Sequence, residues 1–156
     1  MTPIEEIADV RFHRVLVAVD DSEPARSALA VALSLAKKFG ATVVLSHVVS
    51  AVDVYTRAET ADYDSNGSSL LHRAVDMAKA RDIPYEARLL HGQPLEQLLQ
   101  AITDAAADLI VMGTHARKGL ARFYVGSVAE GVLRGTGIPV LVVRAPVAAE
   151  KSQDFV

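Results

Sequence analysis

Apolar residues along the chain fall into two alternating patterns. Short, nearly continuous apolar runs occupy residues 15–19, 42–49, 109–112 and 138–144, and runs of that length without polar alternation suit parallel strands covered on both faces. A fifth run, Tyr85-Glu86-Ala87-Arg88-Leu89, alternates apolar and charged positions and reads as an edge strand with one face toward solvent. Between the runs, apolar residues recur at helical spacing. Leu29, Ala32, Leu33 and Ala36 form one such set, Leu71, Ala74, Val75 and Ala78 a second, and Leu95, Leu98, Leu99, Ile102 and Ala105 a third. Val128, Val132 and Leu133 share a face in a fourth.

Punctuation agrees with this reading. Asp20-Asp21-Ser22-Glu23-Pro24 offers cap candidates, an acidic first turn and a proline whose missing N–H costs nothing, while Gly40 is placed to close the first helix. Asp82-Ile83-Pro84 ends the second helix, Gly92-Gln93-Pro94 opens the third, and the fourth stops near Gly135 or Gly137. Gly113 reads as the break that ends the fourth strand. Strand and helix in strict alternation imply an α/β fold: an open, doubly wound, five-stranded parallel sheet with helices on both faces and right-handed crossovers. Residues 1–13 are a short lead-in, 14–144 the domain, and 145–156 a polar tail. Residues 50–69 scatter Asp53, Arg57, Glu59, Asp62, Asp64, Asn66 and Gly67 without a period. Such a length between elements is either a lid over the strand ends or a surface insertion carrying a turn of helix.

Composition narrows the classes. A hydrophobic fraction of 51% with only 5% aromatic residues means a core of Val, Leu, Ile and Ala, the material of helices packed on a parallel sheet. The formal charge of −3 argues against general nucleic-acid binding. The lack of cysteine excludes disulfides, thiol catalysis and cysteine-ligated metals. With acidic residues Glu5, Glu6 and Asp9 where a leader would be basic, and no apolar run long enough to span a bilayer, a cytoplasmic protein without a membrane partner is expected. Histidines at 13, 47, 72, 91 and 115 lack metal-ligand spacing, so no protein-built metal site is expected, and His47 reads as a hydrogen-bonded core residue.

The chemistry concentrates in residues 111–130, which run strand, glycine, basic loop, glycine, helix. The free N–H groups of the helix's first turn point back toward the strand end, Ser127 adds a hydroxyl, and the helix N-terminus favours negative charge, so a phosphate is the natural occupant. Arg117, Lys118 and Arg122, with His115, form a basic cluster beside it. Asp20, Val48 with Val49, and Met112 with Gly113 all stand at carboxyl ends of strands, where ligands of doubly wound sheets bind. Asp20 and Ser127 each also suit a plain capping role.

These residues resemble the universal stress protein family over residues 14–144. The family's nucleotide-binding members carry glycine, two residues, glycine, nine residues, glycine, then Ser or Thr. Here Gly113, Gly126 and Ser127 keep that spacing, and Ala116 stands at the second glycine. Asp20, the run Ser46-His47-Val48 and Ile138-Pro139-Val140-Leu141-Val142-Val143-Arg144 add to the likeness. The resemblance implies a Rossmann-like sheet of the adenine nucleotide alpha hydrolase type, strand order 3-2-1-4-5. It implies that Asp20 faces the adenosine, Ala18 and Val48 wall the adenine, Met112 and Gly113 give backbone contacts, and Gly126, Ser127 and Val128 hold phosphates. Arg117, Lys118 and Arg122 are further candidate phosphate contacts. Ala116 costs on the order of 1 kcal/mol if its backbone must be left-handed and little if only close approach matters, so the implied nucleotide affinity is retained but weakened. The family also implies a homodimer through strand 138–144, which would cover an apolar edge.

The expected function is an ATP-binding (or ADP- or AMP-binding) stress-response regulator or sensor, acting through nucleotide-dependent conformation or partner binding, its downstream protein partner unspecified. Magnesium would enter only with the nucleotide. No nucleophile–base pair or carboxylate cluster stands out, so any ATP hydrolysis would be slow. The alternative is a dimeric interaction module of the same family that binds no nucleotide, which Ala116 favours. A dinucleotide glycine fingerprint and a Walker lysine loop are both absent after the first strand. A phosphoacceptor receiver is disfavoured because Gly113 stands where its aspartate would be.

Overall fold

The computed structural model describes residues 9–50, 63–114 and 125–144, with residues 63–67 described by their backbone alone. The five strands form one parallel sheet in the order β3-β2-β1-β4-β5, as the resemblance implied. They are β1 (Arg14–Ala18), β2 (Thr42–Val49), β3 (Tyr85–His91), β4 (Leu109–Thr114) and β5 (Val140–Arg144). The helices between them are α1 (Glu23–Phe39), α2 (Tyr63–Lys79), α3 (Pro94–Asp104) and α4 (Ser127–Gly135). Strand order reverses between β1 and β4, so the crevice at that switch opens at their carboxyl ends.

Side-chain alternation divides the core into two layers. Val15, Val17, Val43, Leu45 and Val111 meet α1 and α2 on one face. Leu16, Val44, Ile110 and Met112 meet α3 and α4 on the other. Val15, Leu16 and Val17 are all fully buried, which is why the unalternating run at 15–19 becomes the central strand. Among the described residues β3 pairs only with β2, and it is largely half-exposed, which fits its alternating sequence. Gly40 closes α1 in the left-handed conformation, φ 65°, as its position predicted.

Several boundaries differ from the sequence reading. β4 does not stop at Gly113 but continues through Thr114. The glycine is needed there because a Cβ would fall 2.4 Å from the Pro24 carbonyl carbon and 2.6 Å from the Ala25 nitrogen. It lets the first turn of α1 sit against the strand. α2 begins at Tyr63, so residues 63–69 belong to a helix and not to the irregular segment. Asp64, Ser65, Asn66, Gly67 and Ser68 are poor helix formers with no apolar period, which hid the onset; residues 51–62 lie outside the described residues. On α4 the buried residues are Ala129 and Val132, while Leu133 is 45% exposed. The helix is turned because Gly131 and Gly135 face α3, where a Cβ would meet the Leu95 and Leu99 side chains at 2.5 and 2.8 Å. β5 starts at Val140, with the Pro139 carbonyl accepting from the Ile110 amide just before it.

Candidate functional site

A cavity of about 410 Å³ opens at the carboxyl ends of β1, β2 and β4, a volume within the range of small-molecule sites. Ala18 and Asp20 approach it from the end of β1, Val48 from β2, and Met112 and Gly113 from β4. Gly126, Ser127 and Val128 close it from the start of α4. The structure thus brings eight of the nine sequence-proposed contacts to one hollow. The ninth, Ala116, lies outside the described residues, as do the basic candidates Arg117, Lys118 and Arg122 and the neighbouring His115.

Local hydrogen bonding resolves the capping alternatives. Ser22 caps α1, its hydroxyl accepting from the Ala25 amide at 3.2 Å. Asp20 is not the cap: its Oδ1 accepts from the Ser22 amide at 2.7 Å and so holds the capping residue in place. At α4 the N-cap position belongs to Gly126, and Ser127 is the first helical residue, exposed at the cavity rim. The Gly126 amide donates to Thr114 Oγ1 at 2.8 Å, fastening the start of α4 to the end of β4. The first α4 amide that bonds within the helix is that of Glu130, which donates to the Gly126 carbonyl at 2.9 Å. No side chain of the N-cap residue serves the amides of Ser127, Val128 and Ala129, and all three residues line the cavity. Helix-start amides of this kind, without a side-chain cap, are the groups with which helix N-termini bind anions.

Three polar residues bordering the cavity were not among the sequence-proposed contacts. Thr114 is 4% exposed and its hydroxyl is the latch just described. His47 donates from Nδ1 to the Val19 carbonyl at 2.6 Å, the hydrogen-bonded histidine expected, yet it also borders the cavity. Ser46 is 1% exposed, borders the cavity, and its hydroxyl has no hydrogen-bond partner among the described residues. Its sequence signal was a polar residue following Val43-Val44-Leu45 inside a core strand.

Charge is handled at the other end of the sheet. Glu86 lies between Arg14 and Arg88, and their hydrogen bonds hold its carboxyl below the usual carboxylate range. For Asp108, burial pushes the pKa up, but the backbone amides of Arg14 and His13 outweigh it and leave the carboxyl lowered. Among the described residues no group of three or more His, Asp or Glu is placed to hold a metal ion, and no helix is long and apolar enough to cross a membrane.

A doubly wound α/β sheet with a cavity at its strand switch, bordered by the start of α4, defines a domain of the Rossmann-like α/β class. The Universal stress protein family model matches residues 11–144, and the chain belongs to that family. A universal stress protein of Thermus aquaticus is 33% identical over 138 residues, covering 85% of this chain and 99% of that one. The crystal structure of a universal stress protein family member from Burkholderia pseudomallei superimposes with a TM-score of 0.67 at 31% identity, over 83% of this chain and 94% of that one. A universal stress protein from Archaeoglobus fulgidus, solved in complex with dAMP, shares the fold with a TM-score of 0.66 at 23% identity, over 86% of this chain and 99% of that one.

Proposed function

We propose that this chain is an adenine-nucleotide-binding universal stress protein, with ATP, ADP or AMP seated in the cavity at the β1–β4 switch. The observation that carries the reading is the composition of one hollow. Ala18, Val48 and Met112 offer flat apolar walls to a base, the Asp20 carboxylate can accept from ribose hydroxyls, and the amides of Ser127 to Ala129 face a phosphate. The dAMP bound by the Archaeoglobus fulgidus neighbour supports the same class of ligand. In this reading the nucleotide acts by stabilising one arrangement of the cavity and so regulating a partner surface, in a cytoplasmic stress response. Arg117, Lys118 and Arg122 supplement the phosphate contacts, and magnesium enters with the nucleotide. The functional unit is the domain at 14–144, with 1–13 and 145–156 as flanking segments.

Saturating ATP should raise the melting temperature by about 8 °C, the shift for a ligand near a hundred times its Kd acting on a chain of this size. Gly126→Val should lose that shift by placing a branched side chain at the cavity rim. Unchanged melting of the native protein across millimolar ATP, ADP and AMP would overturn the reading. The same reading extends to a homodimer through β5, an edge strand bonded among the described residues only to β4, whose Leu141 is 38% exposed. Sedimentation should then give twice the 16.6 kDa chain mass, and a monomer at micromolar concentration contradicts it.

A further inference from the structure

We propose that Ser46 is a specificity-determining residue of this cavity, its hydroxyl hydrogen-bonding the edge of the bound purine. The proposal rests on the adenine-nucleotide reading and deepens it. Ser46 lies on β2 as the register partner of Ala18 on β1, and two residues before Val48 on its own strand. Adjacent parallel strands are about 4.8 Å apart and alternate residues of one strand about 6.6 Å apart. Ala18, Ser46 and Val48 are therefore one contiguous patch on the sheet face that meets α3 and α4, where Val44, Leu98 and Met112 are also packed. In that patch two residues are apolar and one carries a hydroxyl.

The hydroxyl is unusual in two respects. It is buried, in a residue only 1% exposed, and it lacks a hydrogen-bond partner among the described residues. Buried polar groups in folded proteins are almost always paired, because leaving one unpaired forfeits its hydration without return. Its described neighbours on the sheet do not supply the partner. Ala18, Val44 and Val48 have no polar side-chain atoms, and Arg88, its register partner on β3, turns Nε and Nη2 to Glu86 and makes no bond to the Ser46 hydroxyl. The Ser46 carbonyl is committed as well, accepting from the Val19 amide at 2.7 Å. What remains is the cavity that the residue borders.

A base lying against Ala18 and Val48 lies against Ser46 too. Rotation about the single Cα–Cβ bond sets the direction of the hydroxyl; aimed at a ring nitrogen, which accepts, it satisfies both groups away from water. A purely carbocyclic group in the same place would leave the hydroxyl unpaired, and sites built around a hydrogen bond reject analogues that lack it. Ser46 thus selects for a heterocycle with an acceptor on the edge that faces β2, while the α4 amides select for the phosphate.

The test is a double-mutant cycle between protein and ligand, run by calorimetric titration of the full chain with AMP and with 1-deaza-, 3-deaza- and 7-deaza-AMP. Ser46→Ala removes one oxygen and introduces no bulk, and thermal unfolding verifies that the variant is folded. The native protein should bind one of the three deaza analogues about tenfold more weakly than AMP. The alanine variant should lose about the same factor for AMP and should no longer distinguish that analogue. Equal AMP binding by the native chain and the alanine variant overturns the role of Ser46 and leaves the nucleotide reading standing. A variant that weakens yet still discriminates all three analogues like the native chain also overturns it. If the native protein binds none of the four, the nucleotide reading itself falls and carries this assignment with it.

Discussion

On the α3/α4 face, the two ends of the sheet treat their polar groups in opposite ways. At the amino end, Arg14 Nε donates to the carbonyl of Ala105, the C-cap of α3, a helix that carries no basic residue in its own last turn. Arg14 also pairs with Glu86, which pairs with Arg88, while Asp108 accepts from the amides of His13 and Arg14. Arg14, the Ala105 carbonyl and Asp108 at that end are thus matched within the protein, and through Glu86 the pairing reaches Arg88 further up β3. At the carboxyl end, the first α4 amides have no cap from their N-cap side chain, and the Ser46 hydroxyl has no partner among the described residues. Hydrogen bonding is completed within the protein at one end, and in the proposed reading a ligand completes it at the other.

The comparison can be broken most severely at the carboxyl end. Gly113→Ala drives a methyl into the backbone of Pro24 and Ala25, atoms that cannot swing aside as a flexible side chain would. The loss should be about 3 kcal/mol, the upper part of the range for overpacking, read as a lowered urea midpoint. A loss under about 1 kcal/mol would show that α1 can retreat from β4 and that the close approach is not what fixes the strand switch.

A smaller effect is expected at the amino end. Glu86 has a folded-state pKa below its ordinary 4.5, so its contribution to stability is complete above the unfolded value and is lost as pH falls through the lowered folded one. Glu86→Gln should therefore differ from the native chain most above pH 5 and converge with it in acid. The gap should be modest, because the Glu86 side chain is 36% exposed and solvent screens its pairs. A gap that stays constant from pH 6 to pH 3, in urea melts at each pH, contradicts the assignment.

The amino-acid pattern conveyed the order of elements and half of the cavity wall, because strand ends in an alternating α/β chain must converge. What it concealed were contacts between elements distant in the chain. Gly113 read as a strand break because its neighbour in space, Pro24, is far away in sequence. Leu133 read as core because helical spacing does not reveal that Gly131 and Gly135 set the side of α4 that meets α3. Thr114 and Ser46 look like ordinary small polar residues until the fold buries both beside the cavity, one hydroxyl engaged by Gly126 and the other without a partner among the described residues.

The central claim is that the carboxyl end takes an adenine nucleotide through the start of α4. Its most direct test is a titration with AMP followed by the amide resonances of the isotope-labelled protein. Saturable shifts at Ser127, Val128 and Ala129, with Arg14, Glu86 and Asp108 unmoved, are the result predicted. Shifts absent from α4, or confined to the amino end, would contradict it.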